Sequence, residues 1–119
     1  PMYSLEEVLK DVMRLKVDAE KRLGAVIDVE TVQSSRAGPP TGFDSPVVRQ
    51  LREGLRVVRG IEAKTVGTGG QTVGNLFRVA GIEAAVWSTV DEVAHQANEY
   101  CKIENLMNDA KVFAAAALV

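Results

Sequence analysis

Glu62-Ala63-Lys64-Thr65-Val66-Gly67-Thr68-Gly69-Gly70-Gln71-Thr72-Val73-Gly74 is the stretch whose reading decides the fold. A short run with β-branched residues ends in a glycine cluster, and the cluster opens into a helical pattern. The expectation is a strand over 62–66, a Gly-rich loop over Gly67–Thr72, and a helix from Thr72 to Ala80 closed by Gly81. Ile82 to Ser88 is mostly apolar and reads as a buried-type strand. Strand, short crossover helix and strand make a βαβ unit, so the two strands are expected to be parallel and the crossover right-handed.

Upstream, Ser45 precedes Pro46, which suits the first position of a helix because its missing amide costs nothing there. Val47, Val48, Leu51, Leu55 and Val58 give that helix its apolar stripe, and Gly60 ends it. The segment from Ser35 to Asp44 holds Gly38, Pro39, Pro40 and Gly42 and reads as a linker. Before it, Ala25 to Ser34 alternates in the manner of a half-buried strand. The chain opens with a capping box, Ser4-Leu5-Glu6-Glu7, and an apolar stripe that runs to Leu23 and stops at Gly24. Downstream, Ile103, Leu106, Met107, Ala110, Phe113 and Ala117 mark a last amphipathic helix. The fold class expected is α/β: a βαβ unit with flanking helices, preceded by a separate helix-strand piece. The two parts divide near Gly38. Three strands are too few for a closed sheet, so partner strands are expected to be missing, and an unpaired edge at 25–34 invites a homodimer.

The chain has 119 residues and a net charge of −2. That balance argues against bulk attraction to nucleic acid or to an anionic membrane. One cysteine, Cys101, excludes an intrachain disulfide. No apolar run reaches the roughly 20 residues of a membrane span. No leader pattern stands at the N-terminus, so a cytoplasmic location is expected. A chain that opens Pro1-Met2 is expected to be either a cloning remnant or a cut inside a longer protein.

Two constellations bear on chemistry. A Gly-rich loop between a strand and a helix presents free amides to an anion, phosphate or carboxylate, with Thr68 and Thr72 as further donors. No Gly-Lys-Ser/Thr follows, and the glycines at 67, 69, 70 and 74 miss the dinucleotide spacing. The same loop also suits a tight turn that needs glycine for its backbone angles alone. His95 is the only histidine and follows a predicted strand, with Asp91, Glu92 and Glu99 beside it. It reads either as a metal donor or as a solvated loop histidine. A catalytic zinc needs three protein ligands, and no close-spaced ligand pair exists in the chain. Arg49, Arg52, Arg56 and Arg59 form a basic stripe that equally suits a solvated helix face. Cys101 and Trp87 read as packing residues.

The order Val66-Gly67-Thr68-Gly69-Gly70-Gln71-Thr72, Gly81 to Trp87, His95-Gln96-Ala97-Asn98-Glu99-Tyr100 and Ile103-Glu104-Asn105-Leu106 resembles the C-terminus of a metallohydrolase family. The family is that of acetylornithine deacetylase, succinyl-diaminopimelate desuccinylase and carboxypeptidase G, in its archaeal desuccinylase-like branch. Pro39-Pro40-Thr41 and Asp44-Ser45-Pro46 also fit, so the resemblance covers nearly the whole chain. It implies a catalytic α/β domain with two zinc ions and an inserted lid domain that often dimerises. Residues 1–38 then match the last helix and strand of the lid, and residues 39–119 the end of the catalytic domain.

By the same resemblance His95 matches a zinc ligand, and Gly67, Thr68, Gly69, Gly70 and Thr72 match a substrate loop. Asn98 and Glu99 match the supporting tail of the histidine motif. Gln71 and Val73 depart from the family pattern, which leaves the substrate open. Arg36 lies near where some members hold a substrate carboxylate. The implied activity is metal-assisted hydrolysis of N-acyl amino acids or short peptides. The remaining ligands and the general base are absent, so no catalytic residue is expected here and the chain alone should be inactive. The alternative is a non-catalytic module that binds anions or partners through Gly67–Thr72.

Overall fold

The computed structural model describes residues 3–67 and 70–119. These form four α-helices: α1 (Leu5–Leu23), α2 (Pro46–Arg59), α3 (Gly74–Val79) and α4 (Ile103–Ala116). No strand occurs among the described residues, so the expected α/β architecture is corrected to an all-helical one. The segments 25–34, 62–66 and 82–88 run as irregular chain, and the βαβ unit does not form. The physical reason is locality. A helix satisfies its backbone groups four residues away, whereas a strand satisfies none until another strand lies beside it. Segments 62–66 and 82–88 carry strand-like residues but find no ladder partner. A side chain supplies one substitute pairing: Thr41 Oγ1 accepts from the Ala84 amide at 3.1 Å and donates to the Ala84 carbonyl at 2.8 Å.

The helices form where local signals are complete. The Ser4 side chain accepts from the Glu7 amide at 3.2 Å, and the Ser4 amide donates to Glu7 at 2.7 Å, closing the capping box of α1. Gly24 ends α1 and Gly60 ends α2 in the left-handed region, at φ 61° and 64°. α2 carries Pro46 at its start as expected, but Ser45 makes no side-chain cap bond; its hydroxyl is buried without a partner among the described residues. α3 is shorter than expected, starting at Gly74 rather than Thr72.

The packed core lies between α2 and α4, where Val48, Leu55 and Val112 are buried. Gly54 permits the approach. A Cβ there would stand 2.7 Å from the Val112 carbonyl oxygen and 3.0 Å from the Ala116 amide nitrogen. Trp87 meets Phe113 of α4 edge-on, with ring centroids 6.0 Å apart. α4 turns a different face inward from the one its apolar stripe suggests. Asp109 and Val112 are buried, while Ile103, Leu106, Met107 and Phe113 remain exposed.

α1 buries no residue at all, and Leu5, Val8, Leu9, Val12 and Leu15 along it are exposed. The radius of gyration is 19.7 Å, against about 13.5 Å for a compact chain of this length. The accessible surface is 9768 Å², where a compact monomer of this mass exposes about 6,300 Å². The excess exceeds what one standard interface covers on each partner, about 800 Å². Among the described residues no helix is long and apolar enough to cross a membrane.

Candidate functional site

The Gly-rich loop borders a cavity. Of the expected loop residues, Gly67, Gly70 and Thr72 line it; Thr68 and Gly69 lie outside the described residues. The cavity holds about 800 Å³, within the range of small-molecule sites. Its apolar wall includes Val48, Leu51, Leu55 and Trp87. The segments expected as paired strands contribute Thr65 and Val66 on the one hand and Ala84 to Trp87 on the other. They border a common space instead of bonding across it. Among the described residues, four cationic ones line the cavity, Arg36, Arg52, Lys64 and Arg78, and no Asp or Glu does so. Such one-signed lining presents a positive potential to whatever enters.

Asn75 holds the cavity's rim in place. Its Oδ1 accepts from the buried Gly38 amide at 2.9 Å, and its Nδ2 donates to the Arg36 carbonyl at 2.9 Å. This pins the linker to α3, and Gly38 must be glycine: a Cβ there would stand 2.6 Å from the Val79 amide nitrogen. On the loop itself, Ser35 donates to the Gln71 side chain at 3.2 Å. The first amides of α3 are not all free for an anion. Asn75 and Leu76 donate to the carbonyls of Thr72 and Val73, each at 2.9 Å.

His95 belongs to a different structure, the exposed loop between Thr89 and α4. His95 and Asn98 both stand at φ 62°, the left-handed region. Asparagine and histidine are among the few residues enriched there besides glycine. Glu99 accepts from the His95 backbone amide at 3.1 Å, so its carboxylate braces the loop from within. Gln96 donates to the Glu92 carbonyl at 2.8 Å. Lys102 and Asp91 close the base of the loop with a 3.0 Å ion pair. The hydrogen bond to Asp91 and its charge hold the Lys102 ammonium above the ordinary lysine value.

Above that base, Asp109 of α4 accepts from the Thr89 amide at 2.8 Å and from its hydroxyl at 2.6 Å. Arg59, the last residue of α2, donates to the same hydroxyl at 3.1 Å. His95, Asn98 and Glu99 are thus gathered in one loop, and Gly67, Gly70 and Thr72 on one cavity, but none of the first three lines that cavity. Asn75, Thr89 and Asp109 escaped the sequence reading. A carboxylate at Asp109, three residues before the buried Val112, breaks an inward face and is the signal that marks it.

Residues 6–119 match the family described as peptidase family M20/M25/M40. The chain belongs to that family. It is 32% identical over 122 residues to an uncharacterized metallohydrolase of Methanocaldococcus jannaschii. It is 34% identical over 126 residues to another from Methanococcus maripaludis. Each comparison covers 95% of this chain and 30% of the relative, so the chain spans under a third of the length of these curated relatives. No solved structure matches the chain.

Both relatives are named as metallohydrolases, which raises the question of a metal. Among the described residues, no three His, Cys, Asp or Glu side chains are grouped so as to hold an ion. The residues present therefore do not fit a complete metal centre. His95 offers one imidazole, and Glu99 beside it is engaged with the backbone.

Proposed function

We propose that this chain is the C-terminal part of a metal-dependent M20 hydrolase acting on the amide bond of N-acyl amino acids or short peptides. The match to the family from residue 6 to the last residue, over under a third of the relatives' length, carries the reading. In this reading residues 1–38 belong to a lid or dimerisation domain and residues 39–119 to the catalytic domain. His95 is one zinc ligand, and the Gly67–Thr72 loop meets the substrate. The other ligands of a two-zinc centre and the general base come from residues outside this sequence. The desuccinylase-like branch is favoured by the cationic cavity, because Arg36, Arg52, Lys64 and Arg78 suit a substrate that carries carboxylates.

The test is to express the complete coding sequence with zinc and to assay N-succinyl amino acids, N-acetyl amino acids and dipeptides. Hydrolysis of at least one class, lost in His95→Asn, is expected. A coding sequence that holds no further His, Asp and Glu ligands upstream overturns the proposal.

A second reading follows from the same cavity. With four cationic residues and no carboxylate on its wall, it suits an anion whether or not a metal is bound. Titration of the chain with succinate in the absence of metal tests this. Shifts of the Gly67–Thr72 amide signals support an anion-binding module, and unchanged signals refute it.

The exposed apolar residues of segment 25–34, Val26 at 96% and Val32 at 89% exposure, favour a second copy of the chain as partner.

A further inference from the structure

A carboxylate is rarely buried unless it is paired or well hydrogen-bonded. Asp109 is 8% exposed on the inward face of α4, beside the core residue Val112. Its partners come from across the chain. Thr89 gives its amide to one carboxylate oxygen and its hydroxyl to the other, at 2.8 and 2.6 Å. The shorter contact has the length of a charge-assisted O–H···O⁻ bond. The hydroxyl hydrogen is committed to Asp109, so its lone pairs are left to accept from Arg59 at 3.1 Å. Guanidinium, hydroxyl and carboxylate therefore form a directed relay from the end of α2, through Thr89, to α4. Thr89 is the point at which the chain leaves the packed helix pair and enters the His95 loop. The loop returns to α4 at the Lys102–Asp91 ion pair, which is exposed and contributes little on its own.

We infer that Asp109 is a positioning residue: acting through Thr89, with Arg59 as the second anchor, it sets where the His95 loop stands on the α2–α4 pair. The functional meaning of that placement rests on reading His95 as a site residue. The placement itself does not. The loop's own bonds are short-range, from Val93 to Asp91, Gln96 to Val93 and Glu99 to Gln96, and none of these backbone bonds reaches a helix. Thr89 is where a buried, charged acceptor fixes the loop's entry.

The experiment is amide hydrogen exchange on the full 119-residue chain without metal, with the ring signals of its single histidine followed by NMR. Asp109→Asn removes the charge while keeping the shape. Thr89→Val removes the hydroxyl and keeps the amide bond, and serves if the first variant fails to fold. Thr89→Ser keeps both bonds. The amides of Val93, His95, Gln96 and Glu99 are expected to exchange roughly tenfold faster in Asp109→Asn and Thr89→Val, as loss of a hydrogen bond to a charged group implies. The histidine ring signals move toward those of a free side chain in both, and Thr89→Ser restores wild-type behaviour. Amides of Leu55 and Val112 stay protected throughout.

Unchanged loop exchange in both variants overturns the inference. Equal loosening of α2, α4 and the loop also overturns it, because Asp109 would then be a brace of the helix pair alone. None of these readouts involves metal or substrate. Failure of the hydrolase reading therefore leaves them untouched, and their failure leaves that reading to its own assay.

Discussion

Gly54→Ala opposes two effects of known size, and the structure decides between them. In a helix interior, alanine is favoured over glycine by about 0.8–1 kcal/mol, so helix propensity alone predicts stabilisation of α2. The new methyl group, however, would stand 2.7 Å from the Val112 carbonyl oxygen, 3.0 Å from the Ala116 nitrogen and 3.1 Å from the Ala116 Cβ. The first two are backbone atoms of α4, which no side-chain rotation can move aside. α2 and α4 must separate, along the contact that buries Leu55 and Val112. Overpacking of this kind costs about 1–3 kcal/mol. The net expectation is a loss of about 1 kcal/mol for alanine and more for Gly54→Val. For a domain of this size that lowers the midpoint of thermal unfolding by roughly 4 °C.

Far-UV circular dichroism follows the helices, and fluorescence of Trp87, in contact with Phe113, follows the packing of α4. Gly42→Ala is the control, since a Cβ at Gly42 meets nothing within 4 Å; it should be neutral or slightly stabilising. A Gly54→Ala protein at least as stable as wild type would refute the close approach of α2 and α4.

Asn75→Ala leaves the buried Gly38 amide without its acceptor and should cost about 1–3 kcal/mol. Urea denaturation measures it, and a wild-type midpoint would show that the linker is not pinned to α3. The helix content of α1 should fall in acid. Glu7 is held below the ordinary value of 4.5 by the Ser4 amide and hydroxyl, and Glu20 by Lys16 and the Ile27 amide. A lowered carboxylate contributes stability above 4.5 that is lost as pH falls through its folded value. A circular dichroism titration of wild type and Glu7→Gln checks this, and identical curves would exclude Glu7 of the capping box as a cause. Sedimentation should show self-association that rises with concentration, through the apolar faces left on α1 and segment 25–34. A clean monomer at high concentration would contradict that.

The helices were legible because their determinants are local. Ser4 and Glu7, Gly24, Pro46 and Gly60 lie within a few residues of the bonds they direct, and the observed limits of α1 and α2 follow them. The strands were misread because the alternation at 25–34 and the apolar run at 82–88 state only what those segments suit. Without a neighbour to receive their amides and carbonyls, they remain irregular chain. The same gap explains α4. Its apolar stripe through Ile103, Leu106 and Met107 faces solvent, while Asp109 and Val112 are buried.

For the site, His95 and the Gly-rich loop stood out by composition. The residues that hold them, Asn75, Thr89 and Asp109, did not, because their partners lie 20 to 39 positions away in the sequence. The geometry leaves His95 off the cavity wall, and only the proposed function joins the two loops in one chemistry.

The central claim is that His95 is a single donor whose site is completed by residues outside this sequence. Zinc calorimetry on the pure 119-residue chain tests it most directly, paired with an assay of N-acyl amino acid hydrolysis on the same sample. The account predicts weak binding at most, abolished by His95→Asn, and no hydrolysis. Tight stoichiometric zinc binding accompanied by turnover would contradict it.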